Sequence, residues 1–199
     1  MSFDWYEKMD CLTITMPDEE FIWCYSYLEL QNIMNDLCEK HILKKVYVQL
    51  ISYVESLSHS KSYYSFSYLG GPVIMIFDNV AVEFEIFGVG LFRYRVMKLW
   101  EVKIKKVKDL LLGDMSSSHF YDLGSEFGLH YEEQKVIDVF VERIDYYPFD
   151  ITGFDKDKAR DAEKNNALPY KICFNLANGV SFGLCADKLE NFYIDLWFG

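Results

Sequence analysis

The sequence predicts an α+β fold that is mostly antiparallel β-sheet, with two similar β-meanders packed together and a helix near the N-terminus. Two hairpin patterns and one helical pattern predict it. The hairpins are PVIMIFDNVAVEFEIF, residues 72–87, and KICFNLANGVSFGLC, residues 171–185. The helix covers Leu28–Ile42, where apolar residues recur at helical spacing between polar ones.

The first hairpin is predicted to turn on a two-residue loop, Asp78–Asn79, because both residues tolerate the left-handed backbone that such loops require. Side chains alternate along a strand, so this register collects the large apolar residues on one face. That face holds Val73, Met75, Phe77, Val80, Val82 and Phe84. The opposite face is half apolar and is predicted to be partly covered or wet; it holds Ile74, Ile76, Ala81, Glu83 and Glu85.

The second hairpin distinguishes between two registers. A two-residue loop at Asn178–Gly179 would scatter apolar groups over both faces. A three-residue loop, Ala177–Gly179, instead pairs Phe174 with Phe182 and puts Gly179 where this loop type needs a left-handed residue. We therefore predict the three-residue loop.

The remaining chain is assigned by period. Strands are predicted over Lys45–Val54, Tyr63–Tyr68, Leu91–Val96, Lys135–Tyr147 and Asn191–Phe198. Apolar spacing in Trp100–Leu112 fits either a helix or a strand. Residues 113–131 are interpreted as a Gly/Ser-rich connection, and residues 150–167 as a charged loop.

The two halves run in the same order: a strand, a polar loop, a hairpin and a fourth strand. We therefore predict a single domain, residues 1–199, built from a first pseudo-repeat over about 44–96 and a second over about 135–198, with a connection at 97–134. Chance similarity is the alternative, because hairpins are common. Packing the apolar faces of two four-stranded units against each other buries both faces, which favours one domain over two independent ones.

Charge and composition exclude several function classes. The net charge is -11, and it is evenly spread, with no basic face to bind phosphate, so we expect no nucleic-acid partner. An acidic surface suits either a basic protein partner or plain solubility. No run approaches the roughly 18 apolar residues that span a bilayer, so no membrane partner is expected. No signal-peptide pattern is recognised, and the five cysteines lack CxxC spacing, so we predict a cytoplasmic protein with reduced thiols.

No motif for catalysis, a metal or a cofactor is recognised, and we expect neither enzyme activity nor a cofactor. Glu83 and Glu85 share a face, as do Arg93 and Arg95 on the next strand; cross-strand ion pairs are favoured over a catalytic pair. The segment DKDKARD, residues 155–161, has the acidic spacing of a calcium loop without its remaining ligands or its glycine. The four histidines lack metal-ligand spacing.

Tyrosines and aspartates beside loops are the candidate partner-binding residues. An aromatic ring with a polar tip suits an interface anchor, although half-buried sheet residues are the alternative reading of the tyrosines. The DKDKARD segment adds a candidate acidic patch. The predicted partner-binding residues are Tyr63, Tyr64, Tyr68, Tyr146, Tyr147, Asp155, Asp157 and Asp161.

The arrangement GGPVIMIFDNVAVEFEI, then Gly90–Arg95, then KICFNLANGVSFGL resembles small uncharacterised acidic bacterial proteins. The chain is similar in size, acidity and architecture to the immunity proteins of polymorphic or contact-dependent toxin systems. The resemblance covers roughly residues 44–96 and 135–198 and carries over no functional residues. It implies a protein that binds and neutralises a cognate toxin through acidic and aromatic contacts.

Three hypotheses follow. The leading one is a non-catalytic protein that binds a basic partner, of immunity or inhibitor type. The second is a small-molecule-binding or enzymatic domain, with a pocket between the sheets or in the connection at 113–131. The third is a structural homodimer that associates through an exposed edge strand such as Asn191–Phe198.

Overall fold

The computed structural model describes residues 9–14, 21–49, 63–68, 72–87, 91–106, 119–122, 135–143, 157, 160–161, 164–165, 168–186 and 192–198. Within these ranges the chain is mostly antiparallel strand, with a helix after the first strands, which confirms the α+β class. The helix α1 covers Tyr27–Lys40, and a 3₁₀ turn covers Leu99–Glu101. The strands are β1 (Met9–Ile14), β2 (Ile22–Cys24), β3 (Leu43–Gln49), β4 (Tyr63–Tyr68), β5 (Val73–Phe77), β6 (Val80–Phe87), β7 (Leu91–Lys98), β8 (Val102–Lys106), β9 (His119–Asp122), β10 (Val136–Arg143), β11 (Pro169–Leu176), β12 (Val180–Ala186) and β13 (Phe192–Phe198).

The described strands form two sheets, which we call sheet A and sheet B. Sheet A has eight strands in the order β2-β7-β6-β5-β3-β9-β1-β8. Sheet B has five, in the order β10-β11-β12-β13-β4. Each sheet contains a four-stranded antiparallel meander, β3-β5-β6-β7 in sheet A and β10-β11-β12-β13 in sheet B. The two meanders follow the chain in the same order, and β4, although it lies between β3 and β5 in sequence, pairs with β13 of the other sheet.

Sheet A is strongly curled. Its strands β7 and β8 are six spacings apart in the strand order, which would be about 29 Å in a flat sheet. The chain between Lys98 and Val102 can span at most about 15 Å. The sheet must therefore curve until its two ends approach each other.

The curvature creates two cores, one on each face of sheet A. The larger core fills the space between sheet A, sheet B and α1, and it contains Met75, Phe84, Phe174 and Phe182 among many buried side chains. The second core lies inside the curl, where Leu12, Phe120 and Val102 cover the inner face of the central strands. The outer strands of sheet A thus close over a face that would otherwise be open.

Both hairpins adopt the predicted registers. Val73 pairs with Phe84 and Met75 with Val82, across a turn at Asp78–Asn79. Phe174 pairs with Phe182, with their rings stacked at a centroid distance of 4.8 Å. Gly179 has φ 85°, the left-handed backbone that favours glycine, and its N–H donates to the carbonyl of Leu176 at 3.0 Å.

The predicted half-open face of the first hairpin is more buried than expected. Ile74, Ile76, Ala81 and Glu83 are at most 6% exposed. The reason is the curl of sheet A, because β1, β8 and β9 bring side chains from distant parts of the sequence onto this face.

Helix α1 is shorter at its end than the pattern indicated. Leu30, Met34 and Cys38 form its buried stripe at four-residue spacing. The helix ends at Lys40, and Ile42 lies beyond it, 39% exposed. His41 follows the last turn, and its Nδ1 lies 3.1 Å from Oδ1 of Asp78 in the first hairpin. The helix end is therefore fastened to that turn.

The closing strand is not an edge strand, so that part of the homodimer hypothesis is wrong. β13 pairs with β12 on one side and with β4 on the other. The prediction placed β4 in the first meander, and its pairing with the second sheet is a contact between residues more than a hundred positions apart.

Other assignments are refined. In the segment at 100–112 the 3₁₀ turn ends at Glu101 and strand β8 covers Val102–Lys106, while residues 107–112 lie outside the described residues. β9 lies within the predicted connection, and β1 and β2 lie in a region for which no strand was predicted. The predicted charged loop has helical backbone at its described positions 157, 160, 161 and 164. The ends of two predicted strands, 50–54 and 144–147, lie outside the described residues.

No helix among the described residues is long and apolar enough to cross a membrane. Cys11, Cys24, Cys38 and Cys173 are buried free thiols.

Candidate functional site

Strand β10 presents apolar side chains to solvent on the outer face of sheet B. Ile137 is 64% exposed and Phe140 51% exposed, while Val139 and Val141 between and beyond them are buried in the larger core. Asp138 and Glu142 lie on either side of Phe140 on the outward-facing positions of the strand. We call these four outward residues, Ile137, Asp138, Phe140 and Glu142, the β10 surface.

Helix α1 holds β10 in place from its outer edge. Gln31 and Asn35 are one helical turn apart, and their side-chain oxygens accept the backbone N–H groups of Val141 and Val139 at 3.0 and 3.1 Å. β10 is the first strand of sheet B, so these N–H groups point away from β11. The helix thereby satisfies donors that an open edge would leave to water or to another chain. The strand that displays Phe140 is consequently a fixed element.

A polar row crosses sheet B beside Phe140. The hydroxyl of Ser181 donates to Oδ1 of Asn175 at 2.7 Å, and Nδ2 of Asn175 donates to Oδ2 of Asp138 at 3.4 Å. On the other side of Phe140, Sγ of Cys173 lies 3.9 Å from Oε1 of Glu142. Each carboxylate of the β10 surface thus has a polar neighbour on the next strand.

Three of the predicted tyrosines occupy strand positions on both faces of sheet B. Tyr63, Tyr64 and Tyr68 lie in β4, opposite Trp197, Leu196 and Phe192 of β13. Because successive strand positions face opposite sides of a sheet, position 63 lies on one face and positions 64 and 68 on the other. Tyr146 and Tyr147 lie outside the described residues, so their role stays a prediction.

The predicted aspartates are described in part. Asp157 and Asp161 are exposed and have helical backbone, and Asp155 lies outside the described residues. Asp161 lies 3.8 Å from Nζ of Lys164, and its carbonyl accepts the backbone N–H of Asn165 at 3.2 Å. Exposed carboxylates at helical spacing are compatible with the predicted acidic patch.

A ladder of charged and aromatic side chains crosses sheet A on the face that carries the second core. Arg95 Nε donates to Glu83 Oε2 and Arg93 Nε to Glu85 Oε2, each at 2.5 Å. Phe21 lies over both guanidinium groups, its ring centroid 4.1 Å from Cζ of Arg93 and 4.6 Å from Cζ of Arg95. The cross-strand ion pairs predicted from the sequence are confirmed. Each guanidinium donates to a carboxylate and lies against the ring of Phe21, an arrangement that stabilises the sheet.

Glu83 is the most enclosed carboxylate of this ladder. Burial raises the pKa of Glu83, and the attraction and hydrogen bond of Arg95 offset the effect only in part. Trp23 also belongs to the ladder, with its ring centroid 5.4 Å from Cζ of Arg93. The six side chains, Phe21, Trp23, Glu83, Glu85, Arg93 and Arg95, include no nucleophile and no histidine. Within these described side chains the hydrogen-bond partner of Glu83 is Arg95, so the perturbed carboxylate fits a structural ion pair.

The buried thiols are poor nucleophiles. Burial raises the pKa of Cys24 to about 12, with Glu29 adding to the effect, and burial raises the pKa of Cys38 to about 12. Among the residues that the structure describes, no three His, Cys, Asp or Glu side chains are grouped to hold a metal ion. The space between the two sheets, where the second hypothesis placed a pocket, is lined in its described part by the buried apolar side chains of the larger core.

The two apolar residues of the β10 surface were not among the predicted site residues. Strict alternation through Val139 and Val141 would have put Phe140 outside, next to Asp138 and Glu142. Ile137 could not have been found in this way, because the register shifts between Val136 and Asp138.

No protein-family model matches the chain, and neither a curated protein nor a solved structure is significantly similar to it.

Proposed function

We propose that the protein is a non-catalytic binding protein of immunity or inhibitor type, which holds a basic partner protein against sheet B. The observation that carries the proposal is the β10 surface, where exposed Ile137 and Phe140 lie beside the carboxylates of Asp138 and Glu142. In protein interfaces, most of the binding free energy comes from a few central side chains, often aromatic, that are surrounded by polar groups.

The net charge of the molecule and the side chain of Phe140 have separate roles in binding. Lys135 and Arg143 flank the β10 surface, so the strand itself is not strongly acidic. The net charge of -11 belongs to the whole molecule, and its field would speed the approach of a cationic partner in a salt-dependent way. Phe140 would then supply the short-range contact.

Rigidity favours the same surface. The hydrogen bonds from Val139 and Val141 to Asn35 and Gln31 fix β10 before any partner arrives. A preformed surface loses little conformational entropy on binding, which is one requirement of a tight inhibitor. Exposed Asp157 and Asp161 would contribute further acidic contacts.

The test is co-expression with the product of the adjacent reading frame, followed by size-exclusion chromatography and calorimetry at low and high salt. We expect a stable complex whose affinity falls as salt rises, and protection of the host from the partner's toxicity. Phe140→Ala should weaken the complex by about 2 kcal/mol, about thirtyfold in Kd.

Trp100→Ala is the matched control. Trp100 is also an exposed aromatic residue, but it lies in the 3₁₀ turn between β7 and β8 of sheet A rather than in β10. The absence of a complex, or one whose affinity is insensitive to salt, would contradict the proposed function. A complex that is weakened by Trp100→Ala and not by Phe140→Ala would contradict the assignment to β10.

A further inference from the structure

A short basic stretch stands out in this acidic chain. Residues 98–106 contain four lysines and one glutamate, within a protein of net charge -11. The glutamate, Glu101, is 3% exposed, and its Oε2 accepts the backbone N–H of Lys98 at 2.7 Å. The side chains of Lys98, Lys103 and Lys105 are exposed. The solvent-facing charge of this stretch is therefore positive.

The same stretch exposes large apolar side chains. Trp100 is 67% exposed, Ile104 41% and Leu99 36%. The hydrogen bond of Glu101 closes the 3₁₀ turn that carries Trp100, and Nζ of Lys98 lies 6.0 Å from the centroid of its ring. Trp100 is thus held outward by the fold. We call Lys98, Trp100, Lys103, Ile104 and Lys105 the β8 edge surface.

β8 ends sheet A in its described part. It pairs with β1 on one side, with Lys103 opposite Thr13 and Lys105 opposite Cys11, and no described strand pairs with its other side. Alternation places Lys103 and Lys105 on one face and Ile104 on the other. A strand added here would meet two lysines on one face and an isoleucine on the opposite one.

We propose that β8 binds an acidic, extended segment of a partner protein, which joins sheet A as an additional strand. Strand addition gives affinity through the backbone and specificity through alternate side chains. Carboxylates two residues apart in the segment would lie opposite Lys103 and Lys105. Apolar residues between them would lie toward Ile104, with Trp100 as an anchor at the start of the strand.

Charge selects this occupant over a second copy of the chain. Two β8 strands paired with each other would bring lysines against lysines, which is destabilising. Lysines on an edge strand also prevent unwanted pairing in many proteins. That role gives no reason to expose Trp100 and Ile104 at the same edge, since apolar side chains there favour association.

The inference goes beyond the proposed function, because it concerns a different sheet, a partner of opposite charge and different residues. The probe is a fluorescein-labelled nonapeptide in which glutamate alternates with valine or threonine, titrated with the full chain in anisotropy measurements. We expect saturable binding that weakens as salt rises. The variant Lys103→Glu/Lys105→Glu should raise Kd at least about tenfold.

Two controls separate strand addition from simple charge attraction. Lys135→Glu/Lys164→Glu changes the net charge by the same amount, from -11 to -15, at exposed lysines elsewhere, and it should leave Kd within about twofold. A peptide of the same sequence with alternate backbone nitrogens methylated keeps its carboxylates but cannot complete the strand hydrogen bonds, and it should lose most of its binding.

Vesicles containing phosphatidylserine test an anionic membrane as the occupant. The inference is overturned if the peptide does not bind, if the methylated peptide binds as well as the parent, or if both charge variants weaken it equally. Vesicle binding that needs Lys103 and Lys105, without peptide binding, would also overturn it in favour of a lipid surface.

Discussion

At the scale of single residues, Glu83 shows how a buried charge is tolerated in this sheet. Its side chain is 5% exposed, and Arg95, its ion-pair partner, is 18% exposed. The pair lies across neighbouring strands with Phe21 over the guanidinium group. Arg95 gives the carboxylate an ion-pair and hydrogen-bond partner. The free-energy cost of removing the charged carboxylate from water still exceeds the stabilisation by Arg95, so the pKa of Glu83 is raised.

This raised pKa predicts a pH dependence of stability. The folded protein keeps the proton of Glu83 to a higher pH than the unfolded chain does. The free energy of unfolding therefore contains a component that decreases as pH rises from the ordinary glutamate pKa through the raised value. Glu83→Gln keeps an acceptor for Arg95 and should remove this component. Urea unfolding of both proteins between pH 4 and pH 8 at constant ionic strength measures it.

Glu85→Gln is the matched control, because Glu85 belongs to the same ladder but its side chain is 23% exposed. Wild type should lose stability relative to Glu83→Gln as pH rises through this window, because only wild type has a buried carboxyl group that must ionise there. Parallel curves for wild type and Glu83→Gln would show that burial does not perturb this carboxylate.

At the scale of elements, α1 has two functions on adjacent stripes. Leu30, Met34 and Cys38 pack into the larger core, and Gln31 and Asn35 cap the edge of β10. A strand edge whose backbone N–H groups are bonded to side-chain amides is less able to pair with another strand. β8, which carries lysines instead, keeps its outer side without a described strand partner.

The hydrogen bonds from β10 to Gln31 and Asn35, which we call the edge cap, predict that replacing Asn35 destabilises the protein more than replacing its neighbour Asn32. Asn35→Ala leaves the buried N–H of Val139 without its acceptor, which should destabilise the protein by about 1–3 kcal/mol, reduced by the better helix propensity of alanine. Asn32→Ala makes the same chemical change at an exposed position of the same helix and gains the same propensity. Urea unfolding and amide exchange of Val139 measure the difference. Equal stability of the two variants would contradict the edge cap.

Elements whose pattern and partners are close in sequence could be predicted. Both hairpins follow from alternation and from the turn residues at Asp78–Asn79 and Gly179, and α1 follows from its stripe. β1, β2 and β9 could not be predicted, because each pairs with strands far away in the chain, and β2 and β9 have only three and four residues. β4 has a readable pattern, but its partner, β13, is set by tertiary packing.

The candidate sites divide in the same way. The pairs Glu83–Arg95 and Glu85–Arg93 lie on adjacent strands joined by a short connection, so their contact could be predicted. The exposure of Ile137 depends on the register shift between Val136 and Asp138, which the local sequence does not indicate. The exposure of Phe140 follows from alternation with the buried Val139 and Val141, so it could have been predicted once those two valines were assigned to the core.

At the scale of the whole molecule, the two meanders share one core. Buried side chains from β5 and β6 of sheet A, from β10, β11 and β12 of sheet B, and from α1 belong to the same cluster. β4 strengthens the connection, because it leaves the sequence of the first meander to complete sheet B. Neither sheet can expose its core face without exposing that of the other, so we expect one cooperative unfolding unit.

Ile172→Val tests this unity. Ile172 is fully buried on the core face of β11, and shortening it by one methylene should cost about 1 kcal/mol, which is about fivefold in the exchange of amides that open by global unfolding. If the molecule is one unit, the amides of β5 in sheet A accelerate as much as those of β11. Ile137→Val makes the same change at a residue 64% exposed on the same sheet and should alter neither. Acceleration confined to sheet B would show two units that unfold separately, and the meanders would then be neighbours rather than halves of one domain.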